Sequence, residues 1–557
     1  MLIEIYCDKF RINGKDGNKR SAIKFHSGLN AIIGDNNRSN SIGKSTFLMI
    51  IDFVFGGSDY IKKCSAVHQN IGEHNICFTL QFDGIEYSFI RNNIRFNEII
   101  KCNRQYEPLE NEEPFNIDDY RLFLAEKYHL NGFDDLKWRG IMSKHIRIYN
   151  RDTMDASRPL QASKDGKVFD DIKSYLKLFK KYSVVEDQIK QAKLAEEEKE
   201  AFRKTVGFNH IKMAKTEKDF KENIKMISEL EIKEKDLIEN SENGLLDLTS
   251  MQIQQLNELN QLLLTYSRER AKVQSKLNNL RKEMIEGKKS FTKTYSDLEK
   301  YFPGIELKEI EKVESFHQGL SKILFSEFKE NERHLATTYV MLSNEISKIK
   351  TQIEEIKVIP NVKQAVLKEY SRITTELSNL RAANTNFTTL NDLKRVAKEC
   401  AEIRDKVITD QLLDIQNVVN DKMREITQRI VQESHLIAPR LLLEKINAYS
   451  FVTSGDDGSG SSLRGLITFD LANMFILGLP FLVHDADLMD PISKPILTQI
   501  IKEYQSVEMY NKQVFVAFRS FEFYADEVKD ILEDCKVLQL ETDGNELFGW
   551  AWNKEIR

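Results

Sequence analysis

The stretch that decides the fold is GLNAIIGDNNRSNSIGKSTFLMIIDFVFGG, residues 28–57. Its apolar start, Leu29 to Ile33, is typical of a buried strand, and Ser45 to Phe55 is typical of a helix. The loop between them ends in Gly43-Lys44-Ser45-Thr46. Backbone amides at the start of such a helix cradle phosphate groups, and the helix dipole favours their negative charge. The stretch therefore predicts a phosphate-binding loop.

The loop departs from the usual spacing of such motifs. Four residues normally separate the first glycine from Gly-Lys, whereas eight residues separate Gly34 from Gly43. Arg38 stands where the first glycine would fall. We interpret Asp35 to Ile42 as an expanded loop. The alternative is a chance Gly-Lys-Ser-Thr tetrapeptide, which the preceding strand and the following helix disfavour.

The loop assigns individual roles toward ATP and Mg²⁺. Lys44 is expected to reach the β- and γ-phosphates, and the Ser45 hydroxyl is expected to ligate Mg²⁺. The nucleotide-binding candidates of this region are Gly34, Asn36, Gly43, Lys44, Ser45 and Thr46. ATP and Mg²⁺ are thus the predicted cofactors.

Length and composition limit the remaining possibilities. The chain has 557 residues, which predicts more than one structural unit. The formal charge of −5 excludes a polycation, so nucleic acid would be bound through local basic patches such as Lys62 and Lys63. The six cysteines form no CxxC, which disfavours a disulfide framework, a structural zinc site and a zinc hook. No apolar run is long enough to span a bilayer, and the start does not resemble a secretory signal. A soluble, cytoplasmic protein is expected.

Composition divides the chain into three parts. Residues 1–168 and 432–557 contain alternating strand and helix patterns, whereas residues 169–431 nearly lack glycine and proline. Residues 115–130, FNIDDYRLFLAEKYHL, predict a helix with Asn116 as its N-cap. Neither end region is a complete domain alone. An inserted helical arm whose two ends emerge together would unite them into one α/β head.

The middle region carries heptads. Apolar residues alternate in spacings of four and three, as in Leu335, Tyr339, Leu342, Ile346, Ile349, Ile353 and Ile356. An average spacing of 3.5 keeps one seam facing a partner helix, which is the requirement for a coiled coil. The insert is therefore predicted to be a long antiparallel α-helical coiled coil.

Three breaks interrupt this helical region. They are Glu239 to Asp247, Tyr301 to Leu307 and Val358 to Asn361. Pro303 and Gly304 favour a chain reversal, so we place the apex at the middle break and a shared elbow at the two outer ones. Each arm would then reach at most ~190 Å at ~1.5 Å per residue. The alternative is a compact bundle of shorter helices.

With these features in place, the chain resembles the SMC, RecN and RecF class of ATPases, and more closely the YydD-type coiled-coil ATPases of bacterial defence loci. The resemblance covers the whole chain in layout. Its specific motifs are IEIYCDKFR (residues 3–11), the stretch 23–57 with the phosphate loop, YFPGIELKEIEKVESFHQGL (301–320) and LITFDLANMFILGLPFLVHDADLMDP (466–491). It implies an ABC-type ATPase head (a P-loop NTPase) that sandwiches ATP between two heads.

The resemblance also implies where the acidic residues act. FLVHDADLMD resembles a Walker B strand, with Asp485 holding the water shell of Mg²⁺. The family pattern places a catalytic glutamate next, but this chain has Ala486 and then Asp487. The other register makes His484 the Walker B position and Asp485 the base. In either register the Asp-Glu pair is missing, which predicts slow hydrolysis.

Other expected parts are matched loosely. SGDDGSGSSLRGLITFDLA resembles the signature loop, in which Ser459 and Gly460 would face a γ-phosphate across a dimer; a flexible glycine-serine turn is the alternative. Arg11 matches a basic residue that often touches nucleotide in this class, although a solvated arginine would fit as well. The switch histidine after the last strand is replaced by Arg519 and Ser520.

Two function classes follow from these observations. The first is an ATPase that joins heads as a homodimer, engages double-stranded DNA and controls partner effector subunits, as in the anti-phage or anti-plasmid defence that the resemblance suggests. The second is a degenerate scaffold that binds ATP and scarcely hydrolyses it. Lys44, Ser45 and Asp485 favour the first, and Ala486 with the missing histidine favours the second. No nuclease motif is found, so any cutting would belong to another subunit.

Overall fold

The structure is a computed structural model that describes residues 1–35, 42–109, 112–133, 136–161, 163, 165–206, 212–241, 249–290, 307–356, 364–431, 437–453 and 458–551. It divides into two units. The first contains Met1–Glu186 and Asp405–Arg557, and the second is Asp187–Arg404. The first unit is thus built from both ends of the chain.

The elements are numbered in chain order. The strands are β1 Leu2–Tyr6, β2 Arg11–Ile12, β3 Asn18–Lys19, β4 Ile23–Lys24, β5 Gly28–Ile33, β6 Asn75–Phe82, β7 Ile85–Asn92, β8 Glu98–Cys102, β9 Phe115–Asn116, β10 Ile146–Arg147, β11 Arg440–Lys445, β12 Ala448–Val452, β13 Phe481–His484, β14 Gln513–Phe518 and β15 Lys536–Gln539. The helices are α1 Lys44–Val54, α2 Asp59–Lys63, α3 Ser65–Ile71, α4 Ile117–Lys127, α5 Trp138–Met142, α6 Val168–Leu178, α7 Tyr182–Val206, α8 Glu217–Ser241, α9 Thr249–Ser290, α10 Leu307–Ile356, α11 Gln364–Ile430, α12 Ser459–Ile476, α13 Lys494–Ser506 and α14 Asp526–Asp534.

A parallel sheet forms the centre of the first unit. Its order is β10-β13-β14-β5-β15, and each neighbouring pair runs parallel. Strands β5, β13 and β14 consist of buried residues throughout, as expected for a sheet covered on both faces. Because β5 and β10 precede the helical arm while β13, β14 and β15 follow it, the two chain ends share one core.

The first unit also contains an antiparallel sheet, whose strands are arranged in the spatial order β4-β1-β6-β7-β8-β9. Its long hairpin, β6 to β7, turns at Asp83 and Gly84, whose φ angles are 51° and 78°. Two successive positive φ angles match the twist of a two-residue hairpin, for which Asp-Gly is a preferred pair. The helix predicted after Asn116 is confirmed as α4, since the Asn116 side chain accepts bonds from the amides of Asp118 and Asp119.

Helix α1 is buried in this unit and is held at its carboxyl end by polar side chains. The last carbonyls of a helix have no intrahelical partner, so they need donors from elsewhere. The donors here are Arg91 to Phe53 and Gly57, Tyr120 to Val54, Trp138 to Phe55, and Arg121 to Gly56. Two of them are guanidinium groups, which also favour the negative end of the helix dipole. The helix that begins at the phosphate loop is therefore firmly anchored at its far end.

The second unit consists of long helices, and pairs of contacts give their directions. Asn223 of α8 bonds Asn384 of α11, and further along α8 Glu231 pairs with Arg381. The residue numbers rise in one helix as they fall in the other, so α8 and α11 run antiparallel. Their seam contains Leu230, Ile373 and Leu377, all buried.

Helices α9 and α10 form a second antiparallel pair. Arg270 lies over the ring of Tyr339, and Arg281 pairs with Glu332. Of the predicted apex, Tyr301 to Leu307, only Leu307 lies within the described residues, and it is the first residue of α10. The contacts of α9 with α10 show that these two helices run antiparallel.

The two pairs lie against each other. Gln352 of α10 bonds Ser378 of α11, and Met341 of α10 packs against the cluster that contains Leu390 of α11, so these helices also run antiparallel. Thr338 of α10 bonds Thr205 of α7. Helix α10 therefore lies along both α7 and α11, a packing that the predicted hairpin with its elbow does not specify. Apolar side chains on α7, α10 and α11 supply the reason, because burying them against each other is favourable. Of the predicted elbow, Glu239 to Ser241 belong to α8, and residues 242–247 and 358–361 lie outside the described residues.

Candidate functional site

The sequence-predicted residues meet at the carboxyl edge of the parallel sheet. Gly34 follows β5, Asp485 follows β13 and Arg519 follows β14, which lies between the other two strands. The amide of Gly34 donates to Phe518 O at 3.2 Å, which joins two of these strand ends directly. In open α/β sheets this edge is where ligands bind. Residues about 440 positions apart in the sequence therefore converge on one place.

The phosphate loop has the backbone geometry that its glycines predict. Gly43 precedes α1 with φ of 102°, a left-handed conformation that glycine adopts without strain. A Cβ added at Gly34 would lie 2.6 Å from Lys44 Nζ, so the lysine side chain folds back over this glycine. The first turn of α1 contains no acidic residue and has no side-chain cap. The start of this 11-residue helix is thus suited to an anion.

Lys44 is surrounded by charge. Burial lowers the pKa of its ammonium group, while Asp485 and Asp35 oppose that effect and Arg519 adds to it. The half-buried ammonium group of Lys44 thus lies over Gly34, within the electrostatic influence of these carboxylates. Phosphate oxygens would replace those carboxylates as partners of the ammonium group.

Asp485 is 2% exposed and its carboxylate is fixed by two backbone amides. Oδ1 accepts from the Ala486 amide at 2.8 Å, and Oδ2 accepts from the Tyr149 amide at 3.1 Å. Each oxygen retains a further lone pair for a metal-bound water. His484, in contrast, is fully buried and bonds Tyr504 at 2.6 Å and Asp470 at 3.1 Å. The geometry therefore favours the register in which Asp485 is the Walker B acid.

The two residues after Asp485 differ sharply. Ala486 is buried and apolar, whereas Asp487 is exposed in the short turn Ala486–Leu488. The pKa of Asp487 is raised, first by partial burial of its carboxyl group and then by the negative charges of Asp485 and Asp490. A carboxylate with a raised pKa is a better proton acceptor.

The signature residues open α12. Ser459 is exposed, and Gly458 before it adopts an extended conformation without a side-chain cap. A Cβ added at Gly460 would lie 2.4 Å from the Pro491 carbonyl oxygen. Gly460 is therefore needed for close packing within the same head. A bulky substitution there would disturb this packing, so it cannot serve as a clean test of pairing between heads.

Arg11 is connected to the phosphate loop through the backbone of Leu547. Its amide donates to Leu547 O, and the Leu547 amide donates to Ile42 O at the end of the loop. The guanidinium group bonds the carbonyls of Asp8 and Phe10. Arg11 thus supports this region, and contact with nucleotide would require its side chain to exchange these partners.

The remaining predicted residues are placed as follows. Ser45 and Thr46 lie half-buried in the first turn of α1. Asn36 and Arg38 fall outside the described residues. Lys62 and Lys63 are exposed at the end of α2, and Lys63 Nζ contacts the Asn150 carbonyl.

Two groups at the site, the Arg519 side chain and the Tyr149 amide, are not among the residues that the sequence predicts for it. Arg519 pairs with Asp490 and lies over the ring of Phe523, 5.1 Å from its centroid, in the position where the family pattern has a histidine. Its position directly after a buried strand was the available clue. No sequence pattern marks the Tyr149 amide, because every residue type except proline has a backbone N–H group.

The donor set fits MgATP. A hydroxyl from Ser45 and a carboxylate from Asp485 are hard oxygen ligands of the kind that Mg²⁺ accepts alongside phosphates and waters. In the described parts of the chain, no group of three or more His, Cys, Asp or Glu could hold a metal by itself. The helices of the same parts include none that is long and apolar enough to cross a membrane.

The chain is similar to a known family over part of its length and to solved structures over most of it. A family model described as "Uncharacterised protein conserved in bacteria (DUF2326)" matches residues 426–552. No curated protein matches the chain. Among solved structures, the chain is similar to an Smc head domain with a coiled coil and joint from Pyrococcus yayanosii, at 13% identity and a TM-score of 0.37, covering 98% of this chain and 95% of that one. It is also similar to an Smc head domain with an extended coiled coil from Pyrococcus furiosus, described as bound to the C-terminal domain of ScpA, at 11% identity, a TM-score of 0.35 and coverages of 96% and 91%.

Proposed function

We propose that this chain is an SMC-like ATPase that binds MgATP at the carboxyl edge of its parallel sheet. The observation that supports this most strongly is the convergence of Lys44, from one end of the chain, and Asp485, from the other, at the carboxyl edge of one sheet. This convergence is what a single bound nucleotide would require if it must contact both residues.

Each residue has a role in this proposal. Lys44 pairs with the β- and γ-phosphates, and the amides at the start of α1 surround them. Ser45 and Asp485 hold Mg²⁺, which neutralises charge on the phosphate oxygens when it is bound. Asp487 accepts a proton from the attacking water. Arg519, whose charge acts on Lys44, would help to stabilise charge on the γ-phosphate.

The test is the substitution Lys44→Ala, compared with Lys24→Ala, which removes an exposed lysine on β4. Binding of a fluorescent ATP analogue should fall at least tenfold in K44A, because the charge paired with the phosphates is lost. K24A should bind like the wild type. Equal nucleotide affinity in all three proteins, with the fold of K44A intact, would exclude this site.

A second candidate function is a nucleotide-binding scaffold that hardly hydrolyses ATP. The buried Ala486 in place of a glutamate favours it. The two candidates make different predictions for turnover. Steady phosphate release that requires Lys44 supports the ATPase, whereas tight ATP binding with no release above a K44A background supports the scaffold.

We further propose that ATP joins two heads as a homodimer through the exposed Ser459 of each. Ser459→Glu would place a negative charge opposite the γ-phosphate, and it avoids the tight packing of Gly460. Light scattering of the D487N background with ATP should show a dimer that S459E prevents, while S459E still binds ATP. No nucleotide-dependent change in mass in either protein would contradict head pairing.

DNA engagement, effector subunits and a role in defence complete the proposal and rest on the resemblance of the sequence motifs. Exposed Lys62 and Lys63 are the DNA candidates. Binding to duplex DNA should fall steeply as salt rises, and K62E/K63E should weaken it relative to K24E. A pull-down of the native complex would identify effector subunits, and plaque counts with and without the chain would test defence.

A further inference from the structure

The turn that follows β10 contacts the Walker B acid on two sides. The amide of Asp485 donates to Arg147 O at 2.9 Å, which continues the sheet. Two residues later the Tyr149 amide donates to Asp485 Oδ2 at 3.1 Å. One oxygen of the carboxylate is therefore oriented by a segment 336 residues away in the sequence.

The first end of this turn is anchored on α12, the helix that begins with Ser459. Arg147 is fully buried and forms a two-pronged contact with Asp470 of α12, Nε to Oδ2 and Nη2 to Oδ1, each at 2.8 Å. His145 and His484 bond the same carboxylate at 3.0 and 3.1 Å. Burial raises the pKa of Asp470, but Arg147 and these bonds bring it well below its ordinary value, so the carboxylate is ionised. A buried pair with this many bonds is a rigid anchor.

The other end is anchored on α1, the helix of the phosphate loop. Arg151 Nη1 lies 3.1 Å from Asp52 of α1, a fully buried carboxylate that also pairs with Arg139 at 2.8 Å. Arg151 Nε lies 3.1 Å from Asp59 of α2. Between the anchors, the Arg151 amide donates to Ile148 O at 3.0 Å, which closes a tight turn over Tyr149 and Asn150.

We infer that the segment Arg147–Arg151 is a positioning strap, which holds the Asp485 carboxylate in the orientation that Mg²⁺ requires and ties it to the helices carrying the phosphate loop and the signature residues. Groups that orient a metal ligand typically change metal affinity 10–100-fold when removed. The inference rests on the proposed MgATP site and adds to it the residues that fix the acid. Its active group is a backbone N–H, while the Tyr149 side chain is 56% exposed.

The turn allows that N–H to be removed alone. Asn150 has φ of 66°, and Tyr149 is not among the residues with positive φ, so Tyr149 is the first central residue of a type II turn. Proline is common at that position and fits its backbone angles. Tyr149→Pro therefore removes the hydrogen-bond donor without straining the turn. Tyr149→Ala removes the exposed side chain and keeps the donor, which makes it the matched control.

The experiment measures nucleotide binding as a function of Mg²⁺ concentration in the full chain. We expect Y149P to need at least tenfold more Mg²⁺ than the wild type for half-maximal binding of the fluorescent ATP analogue, while its affinity for the analogue in EDTA and its melting temperature without nucleotide stay unchanged. Y149A should match the wild type in all three measurements. A second variant, D485N, should show a similar Mg²⁺ defect that Y149P does not increase, because both act on the same carboxylate.

Other outcomes count against the strap, and they can be distinguished from failure of the ATP site. If K44A abolishes binding while Y149P shows the wild-type Mg²⁺ dependence, the site stands and the strap is wrong. If K44A binds normally, the site itself is wrong. If Y149P and Y149A show the same defect, the side chain rather than the amide is responsible. If Y149P weakens binding equally in EDTA and in Mg²⁺, the turn is only structural, and the inference is refuted.

Discussion

At the scale of single residues, the site combines a well-placed acid with an unusual neighbour. Asp485 is fixed by two amides, whereas Ala486 removes the side chain that would normally activate water. Asp487 is the next carboxylate and has a raised pKa. The chemistry is therefore predicted to shift by one residue along the chain, from the position of Ala486 to that of Asp487.

Substitution of Asp487 tests this shift. D487N should lower the turnover number about 100-fold, within the usual range for loss of a general base, while leaving the affinity for MgATP within a factor of about two. The base must be ionised to act, so wild-type turnover should fall as the pH drops through the raised pKa of Asp487. D487N should lose that part of the pH profile. Phosphate release measured for D487N against D530N, which removes an exposed acid on α14, decides the matter. Full turnover in D487N would assign the base elsewhere.

Two buried histidines predict how stability depends on pH. Burial lowers the pKa of His74 and of His145 below the ordinary value of 6.5. The unfolded chain therefore takes up their protons at a higher pH than the folded chain does. Below pH 6.5 the free energy of unfolding should decline, and the decline should continue until the lowered pKa values are reached, at about 1.4 kcal/mol for each pKa unit and histidine.

Melting curves between pH 7.5 and 5.5 test this dependence. The wild-type melting temperature should fall across the range, and H74Q should fall less. His74 Nε2 bonds the buried Tyr60 hydroxyl at 2.7 Å, so a glutamine can retain a polar partner there. The control H129Q removes an exposed histidine. Identical slopes for H74Q and the wild type would remove His74 from the explanation.

At the scale of elements, the sequence predicts those helices and strands that are marked by a repeated apolar pattern or by a capping residue. The heptads identify the long helices, the apolar runs identify β5, β13 and β14, and Asn116 identifies the start of α4. Beyond the phosphate loop and Asp485, it does not predict which distant groups meet. Arg147 and Asp470 are 323 residues apart, and neither has a spacing or neighbour that names the other. Tertiary polar contacts of this kind depend on the completed fold, and so the strap was visible only in the structure.

The carboxyl end of α1 yields a prediction about stability. Arg91 is fully buried, donates to the carbonyls of Phe53 and Gly57, and lies 3.8 Å from the centroid of the Phe53 ring. Burial lowers its pKa to about 9, so the group remains charged at neutral pH. R91M would leave those carbonyls buried without this donor, at a cost of about 3 kcal/mol or more.

Thermal or urea unfolding measures that cost. R91M should lower the melting temperature by several degrees, and R95M, which removes an exposed arginine on the same hairpin's edge, should change it little. Because α1 carries Lys44 and Ser45, R91M should also weaken ATP binding when the protein is near its new melting temperature. A melting temperature equal to that of the wild type would mean that the other donors at this helix end suffice.

At the scale of the whole molecule, the chain order explains why one head needs both ends. Strand β14, from the end of the chain, lies between β5 and β13 and is paired with both. The sheet is complete only when both ends of the chain come together. The sequence indicates this topology because the phosphate loop and the Walker B strand are separated by a region of heptads. The heptads specify which face of each helix is apolar, but not how one helical pair packs on another, because any apolar face can pack against several others.

The last prediction concerns the antiparallel packing of α10 against α11 in the helical arm. Gln352 of α10 and Ser378 of α11 are joined by a hydrogen bond of 3.4 Å. In a straight arm both would lie on the same strand of the coil, 26 residues apart, which is about 39 Å along a helix. The double variant Q352C/S378C should therefore be joined by a bismaleimide of about 8–10 Å reach only if α10 folds back onto α11. The pair E231C/R381C, which replaces an ion pair between α8 and α11, should be joined in either arrangement and serves as the positive control. The joined peptides are identified by mass spectrometry, so the native cysteines do not confuse the result. Efficient joining of the control pair with none at 352 and 378 would mean that the arm is straight in solution.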